Sequence, residues 1–138
     1  MSFYETIDRI TADAGIRVWA KSLEELLCKS ILATFNEITP IESIPPTEEK
    51  VIEVSSELPF LLADLINEAI VLHEAELFVA SKCEPLEVRE DYARLKLIGD
   101  KFDPQKNEPK LVIKAATYHD LKVEKQGDLW IAEVIFDI

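Results

Sequence analysis

Glycine and basic residues are both scarce in this sequence. Only three of the 138 residues are glycine, so the chain lacks a glycine-rich loop of the kind that wraps backbone amides around a phosphate group. Fifteen lysines and arginines stand against 27 aspartates and glutamates, which gives a formal net charge of −12 at pH 7. Because binding to a phosphate backbone depends on lysine and arginine displacing counterions, we expect no direct binding of nucleic acid. An acidic surface suits a basic protein partner, a bound cation or solubility alone.

Cysteines and long apolar segments are also few. Cys28 and Cys83 are the only two cysteines and form no Cys-x-x-Cys motif. We interpret each as having apolar neighbours at helix or strand spacing. We therefore predict two buried, reduced thiols rather than a disulfide or a zinc site. No apolar run approaches the roughly 20 residues of a membrane-spanning helix, and the first residues lack the basic and apolar regions of a signal peptide. We expect a cytoplasmic protein without a membrane partner.

The rest of the composition is that of a folded domain. Hydrophobic residues make up 48% of the sequence and charged residues 30%, which is within the globular range and far from that of disordered chains. A chain of 138 residues has the length of one ordinary domain. We expect residues 1–138 to form a single domain.

Two helices are predicted in the first half of the chain. Ser22 and Glu25 have the spacing of a capping box, and apolar residues then recur every three or four positions as far as Ile38. A second helix is predicted from Phe60 to Leu77, with Pro59 tolerated at its start. Its apolar residues cover more than one stripe, which indicates packing on two sides.

Alternation of apolar and polar residues predicts strands on both sides of these helices. The predicted strands span residues 3–9, 15–20, 49–54, 78–88, 92–101, 111–125 and 129–137. Gly127-Asp128 has the character of a short hairpin turn between the last two. Because short turns join antiparallel strands, we predict an α+β fold in which mostly antiparallel β-sheets pack with two α-helices.

Three carboxylates near the two ends of the sequence are candidate metal ligands. The chain stops one residue after Asp137, so the main-chain carboxylate of Ile138 lies beside a side-chain carboxylate. A third, Asp13, precedes Gly15, whose backbone freedom would place Asp13 at the end of a strand. Such oxygen donors, with no soft ligand nearby, suit calcium or magnesium rather than zinc. The alternatives are a turn residue bonding its own backbone for Asp13 and an exposed charge at a frayed end for Asp137.

A lysine and a histidine, Lys114 and His119, lie in the same region. Positions five apart on a regular strand point to opposite faces, so the two would meet only if a bulge restored a common face. Otherwise Lys114 would be a charge partner of the carboxylates, and His119 a packed, hydrogen-bonded residue on the face of Ile113 and Leu121. If the protein were a metal-dependent hydrolase or phosphoryl-transfer enzyme, Lys114 would stabilise the charge that develops during the reaction, and His119 would act as a general acid or base. No nucleophile with a credible base accompanies them.

Taken in order, these segments resemble the archease family. The resemblance covers nearly the whole chain, and its most specific part is the Lys-Ala-x-Thr-Tyr-His run at 114–119 together with an aspartate one residue from the end. Two positions depart from the family pattern, since Ile10 stands where most archeases have histidine and Ala14 where isoleucine is common. The matching segments are Thr11-Ala12-Asp13-Ala14-Gly15-Ile16, Ser22-Leu23-Glu24-Glu25-Leu26, Leu65-Ile66-Asn67-Glu68, Glu108-Pro109, Lys114-Ala115-Ala116-Thr117-Tyr118-His119 and Asp137-Ile138.

The resemblance implies an accessory protein rather than an enzyme. Archeases activate RtcB-type RNA ligases, which join tRNA halves after intron removal and seal broken RNA using GTP and a divalent metal. They promote guanylylation of the ligase, allow repeated turnover and widen the nucleotide it accepts. The resemblance also implies a divalent site for Ca²⁺, with Mg²⁺ or Mn²⁺ as alternatives, formed by Asp13, Asp137 and the main-chain carboxylate of Ile138. Lys114 and His119 are then candidates for activating the partner, and a chaperone-like scaffold in RNA processing is a further alternative.

Overall fold

The computed structural model of the protein describes residues 3–8 and 14–138, which form two antiparallel sheets and two long helices. The predicted α+β class is confirmed. In chain order the elements are β1 (Tyr4–Asp8), β2 (Ala14–Ala20), α1 (Leu23–Ile38), a single 3₁₀ turn (Ile41–Ser43), β3 (Glu48–Val54), α2 (Phe60–Glu76), β4 (Phe78–Arg89), β5 (Tyr92–Lys101), β6 (Ala115–Ala116), β7 (Lys122–Gln126) and β8 (Leu129–Asp137).

The last strand, β8, is the centre of the larger sheet. On one edge it pairs with β2, which pairs in turn with β1. On its other edge β7 pairs with the first half of β8 and β6 with its last two residues. The smaller sheet has the order β3, β5, β4. The end of β8 therefore has a neighbouring strand on both sides.

Both helices contact both sheets, so the core lies between the two sheets. Helix α1 contacts β2 and β8 of the larger sheet and β4 of the smaller one, and α2 contacts β3, β4, β5 and β6. This confirms that α2 is buried on more than one side. The largest side chains that are fully buried come from both sheets and both helices, for example Ile16, Phe35, Leu65, Leu95 and Phe136.

Helix α1 begins as the sequence predicts. The Ser22 hydroxyl accepts a hydrogen bond from the Glu25 amide at 3.2 Å, which satisfies one of the free donors at the helix start. At the other end the Thr39 amide donates to the Phe35 carbonyl at 2.9 Å. Local signals therefore define this helix, which forms one wall of the core.

The predicted strand over 111–125 is wrong for most of its length. The Lys110 and Leu111 amides donate to the carbonyls of Ile38 and Glu37 at 2.9 and 3.0 Å, so this part of the chain closes the end of α1 and pairs with no strand there. The five residues 117–121 join β6 to β7. Only two residues of β8, at 134 and 135, separate the partners of β6 from those of β7, so residues 117–121 cannot form a regular strand along β8. Alternation of apolar and polar residues indicates which side chains are buried, but it does not indicate whether a partner strand is available.

The prediction of two reduced thiols is also wrong. Cys28 of α1 and Cys83 of β4 form a disulfide, with their α-carbons 5.4 Å apart. The sequence does not reveal this because the pairing depends on α1 packing against β4. No helix in the described part of the chain combines the length and the hydropathy that a membrane span requires.

Candidate metal centre

The start of β2 and the end of β8 lie at the same edge of the larger sheet. Ala14, the first residue of β2, is opposite Phe136, and the pairing is antiparallel. Asp13 directly precedes Ala14 in sequence and falls outside the described residues, whereas Asp137 directly follows Phe136 and is exposed. The two chain segments that carry the predicted ligands therefore converge as far as the described residues reach.

Gly15 allows β2 and β8 to approach closely at this edge. A β-carbon on Gly15 would lie 2.6 Å from the Val134 carbonyl oxygen and 3.0 Å from Cδ1 of Ile135, which is too close for any other residue. Gly15 lies within a regular strand, so the expectation that it provides an unusual backbone conformation is wrong. What the site requires of this glycine is its lack of a side chain.

The other edge of β8 is held by β6 and the residues that flank it. The Lys114 amide donates to the Asp137 carbonyl at 2.8 Å, and both the amide and the hydroxyl of Thr117 donate to the Ile135 carbonyl at 2.9 Å. The backbone of Asp137 is therefore ordered, and the alternative of a frayed end is wrong, although its side chain is exposed.

The carboxylates at the end of β8 are not part of the ion pairs described for this sheet. Arg17 bridges Glu5 at 3.1 Å and Glu133 at 2.6 Å, and Lys122 lies 3.8 Å from Glu124. None of these pairs includes Asp137 or the terminal carboxylate. Two adjacent carboxylates repel each other, and a cation would relieve that repulsion.

The donor chemistry at this edge fits a hard divalent cation. The Asp137 carbonyl accepts from Lys114. This leaves the Asp137 side-chain carboxylate and the main-chain carboxylate of Ile138, an exposed residue, as oxygen donors. Oxygen donors of this kind suit Ca²⁺ and Mg²⁺. Within the described ranges no group of three or more histidine, cysteine, aspartate or glutamate side chains is arranged to hold a metal ion. The predicted site takes its remaining side chain, Asp13, from outside those ranges.

Lys114 and His119 are not brought together. The backbone amide of Lys114 donates to the Asp137 carbonyl, and the Lys114 side chain is exposed. His119 lies in the irregular segment after β6, with its side chain 65% exposed and Nε2 3.4 Å from an oxygen of Asp120. The prediction of a packed histidine on a regular strand face is therefore wrong, because the strand is interrupted at residue 117. Among the described residues no hydrogen bond or ion pair joins Lys114 to His119.

Tyr118 is a neighbour of this site that the motif alone left without a role. Its hydroxyl donates to Asp64, whose other oxygen accepts from Ser56 at 2.8 Å, and its ring lies 4.9 Å from that of Phe60. The hydrogen bond to Asp64 raises the pKa of Tyr118 above its ordinary value. The ring is thus fixed against α2 while 54% of the residue stays exposed.

Asn67 is a second residue whose role the sequence did not reveal. Its side-chain oxygen accepts from the Ala116 amide at 2.8 Å, and its side-chain nitrogen donates to the Ala116 carbonyl at 3.1 Å. The only signal in the sequence was the Asn-Glu pair at 67–68, which is weak in isolation. Asn67 joins α2 to β6, beside the end of β8.

Comparison with known proteins gives a consistent family match. The model of the Archease protein family matches residues 4–138. The chain is 39% identical over 133 residues to the protein archease of Pyrococcus abyssi, covering 93% of this chain and 94% of that one. It is 35% identical over 132 residues to the protein archease of Methanopyrus kandleri, with the same coverage.

Solved structures agree with this match. The solution structure of a Methanobacterium thermoautotrophicum protein superposes with a TM-score of 0.81 at 27% identity, and the alignment covers 100% of both chains. The crystal structure of a Thermotoga maritima protein, described as an archease and possible chaperone, gives a TM-score of 0.63 at 24% identity and covers 90% of this chain and 89% of that one. The second likeness supports the fold alone.

Proposed function

The chain belongs to the archease family, and from this premise we propose that it is a non-enzymatic activator of an RtcB-type RNA ligase. In this role it promotes guanylylation and turnover of the ligase and broadens the nucleoside triphosphates that the ligase uses. The proposal includes a divalent site, for Ca²⁺ by preference, formed by Asp13, Asp137 and the main-chain carboxylate of Ile138.

The observation that best supports the metal site is the pairing of Ala14 with Phe136. Each of these residues is the immediate sequence neighbour of a proposed ligand. A residue joined to Ala14 by one peptide bond is within about 4 Å of it, α-carbon to α-carbon. The proposed ligands Asp13 and Asp137 are therefore sequence neighbours of two residues that lie opposite each other in β2 and β8.

The bound ion would neutralise the clustered carboxylates and offer a positive centre to an anionic group of the partner. The chain's own residues prepare this edge of the sheet. Lys114 fixes the Asp137 backbone through its amide and leaves its ammonium group in solvent. Tyr118 and His119 are exposed in the segment that follows β6, where a partner could reach them.

The overall charge suits a partner that handles nucleotides and RNA. Such an enzyme presents basic surface around its phosphate-binding site, and a net charge of −12 attracts that surface and steers the encounter. The same charge disfavours direct contact of this chain with RNA. We therefore expect ionic strength to weaken the association with the ligase.

Guanylylation of a purified RtcB-type ligase, followed with labelled GTP, tests the proposal. The wild-type chain should accelerate guanylylation, and Asp137→Asn should lose most of that acceleration because one ligand carboxylate is removed. Asp128→Asn is the matched control, since it makes the same charge change at an exposed turn residue, and it should activate normally. A guanylylation rate that does not change on adding the wild-type chain would refute the proposal.

Two alternatives give different results in the same experiments. A metal-dependent hydrolase predicts turnover by the isolated chain that Asp13→Ala abolishes. A chaperone-like scaffold in RNA processing predicts that Asp137→Asn retains full activity. For the proposed activator we expect no turnover by the isolated chain, and loss of ligase activation in Asp137→Asn.

A further inference from the structure

We infer that Asn67 is a positioning residue for the metal centre: its side-chain amide holds β6, and β6 holds the end of β8 that carries Asp137. The inference rests on the proposed function, because it concerns how that site is kept in place. It adds a residue from α2, a helix that supplies none of the proposed ligands.

The side chain of Asn67 acts on Ala116 as a neighbouring strand would. It accepts from the Ala116 amide at 2.8 Å and donates to the Ala116 carbonyl at 3.1 Å. The residues that flank β6, Lys114 and Thr117, donate to the carbonyls of Asp137 and Ile135 in β8. Ala116 thus directs both of its backbone polar groups away from β8 and towards α2.

These two hydrogen bonds are costly to lose. Ala116 is only 5% exposed, so without Asn67 its amide and carbonyl would be buried without the partners they have now. A buried backbone group that lacks a partner is strongly unfavourable, and the segment would have to move until water reached it. Strand β6 is two residues long and has little pairing of its own to resist such a movement.

A displaced β6 would release the end of β8 on one side. The Lys114 amide holds the Asp137 carbonyl at 2.8 Å, and the two Thr117 donors hold the Ile135 carbonyl. If these contacts loosen, Asp137 and Ile138 become a flexible end, and binding an ion must then pay the entropy of ordering them. Residues that support metal ligands in this indirect way typically contribute 10- to 100-fold in affinity.

The test compares Asn67→Leu with Asn107→Leu. Both asparagines accept from a backbone amide and donate through the side-chain nitrogen. Asn107, in the loop before residue 109, accepts from the Asp103 amide at 2.8 Å and donates to the Ser43 hydroxyl at 3.2 Å. Leucine has nearly the same size and forms neither bond. Each variant is measured by calcium titration calorimetry, by thermal unfolding without calcium, and by hydrogen exchange at Lys114 and Thr117.

Both variants should unfold at lower temperature, but only Asn67→Leu should bind calcium about tenfold or more weakly. It should also show faster exchange at the Lys114 and Thr117 amides, whereas Asn107→Leu should keep wild-type exchange there and a dissociation constant within about twofold. If Asn67→Leu does not fold, Asn67→Ser takes its place, because a serine hydroxyl retains part of the hydrogen bonding.

The possible failures are distinguishable. Wild-type calcium binding by the folded Asn67 variant, with unchanged exchange at Lys114 and Thr117, would overturn this inference and leave the proposed function standing. Equal weakening of calcium binding by the Asn67 and Asn107 variants would also overturn it, since the effect would then follow general stability. Absence of calcium binding by the wild-type protein would instead overturn the metal site itself.

Discussion

Ala14 lies directly opposite Phe136, although the two residues are near opposite ends of the chain. The pairing places the first residue of β2 beside the end of β8, and Gly15 lets the two strands approach closely. A proposed ligand adjoins each member of the pair. The integrity of this contact should therefore affect both the stability of the fold and the affinity of the metal site.

Replacing Gly15 with alanine should destabilise the protein. The new methyl group would lie 2.6 Å from the Val134 carbonyl oxygen, so the strands must move apart, at a cost of about 1–3 kcal/mol in the free energy of unfolding. Urea denaturation measures this loss. Gly127→Asn is the control, because nothing lies within 4 Å of that position and asparagine tolerates its left-handed backbone. Equal stability of Gly15→Ala and wild type would contradict the close approach of the two strands.

Tyr4 should make stability depend on alkaline pH. Its buried hydroxyl donates to Glu37 and accepts from Asn36 at 3.0 Å, and burial, followed by the bond to Glu37, raises the pKa of Tyr4 above its ordinary value. The unfolded chain releases this proton near pH 10 while the folded chain retains it, so the free energy of unfolding should fall as the pH rises above about 10. Below that pH the contribution is complete.

Tyr4→Phe isolates this contribution. It should lower the free energy of unfolding at pH 7 by about 1–3 kcal/mol, because the buried Glu37 loses its hydrogen-bond donor. Above pH 10 its stability should fall less steeply than that of the wild type. Urea denaturation of the wild type and of Tyr4→Phe between pH 7 and 11 measures both effects. Parallel stability curves for Tyr4→Phe and wild type would rule out Tyr4 as the source of the pH dependence.

Reducing the Cys28–Cys83 disulfide should destabilise the fold. The bond closes a loop with a sequence separation of 55 residues, for which loss of chain entropy in the unfolded state gives about 4 kcal/mol. Thermal unfolding with and without a reductant measures the effect. The double variant Cys28→Ala with Cys83→Ala should be insensitive to reductant. Two titratable thiols in the unreduced native protein would contradict the assignment.

The elements that could be predicted from the sequence are those fixed by local signals. Ser22 caps α1 through a hydrogen bond three residues away, and Gly127, at φ 60°, provides the turn between β7 and β8. Both depend on residues that are neighbours in the chain. The boundaries of α1, α2, β4, β5 and β8 accordingly agree with the predictions to within a residue or two.

The features that could not be predicted depend on contacts between distant segments. The disulfide requires α1 to pack on β4, and the missing strand before β6 follows from the bonds of residues 110–111 to the end of α1. Neither contact leaves a periodic pattern in the sequence. His119 was misplaced for the same reason, because its predicted burial assumed a regular strand. Asn67 is recognisable only once α2 and β6 are seen side by side.

Calcium titration calorimetry of the chain with and without two glycines added after Ile138 is the most direct test of the metal centre. The extension moves the free carboxylate away from Asp137 and alters little else, and two glycines added before Met1 provide the control. The untagged chain and the control should bind calcium equally, while the extended chain should bind about tenfold or more weakly. Equal affinity for calcium in all three proteins would contradict a site built from the terminal carboxylate.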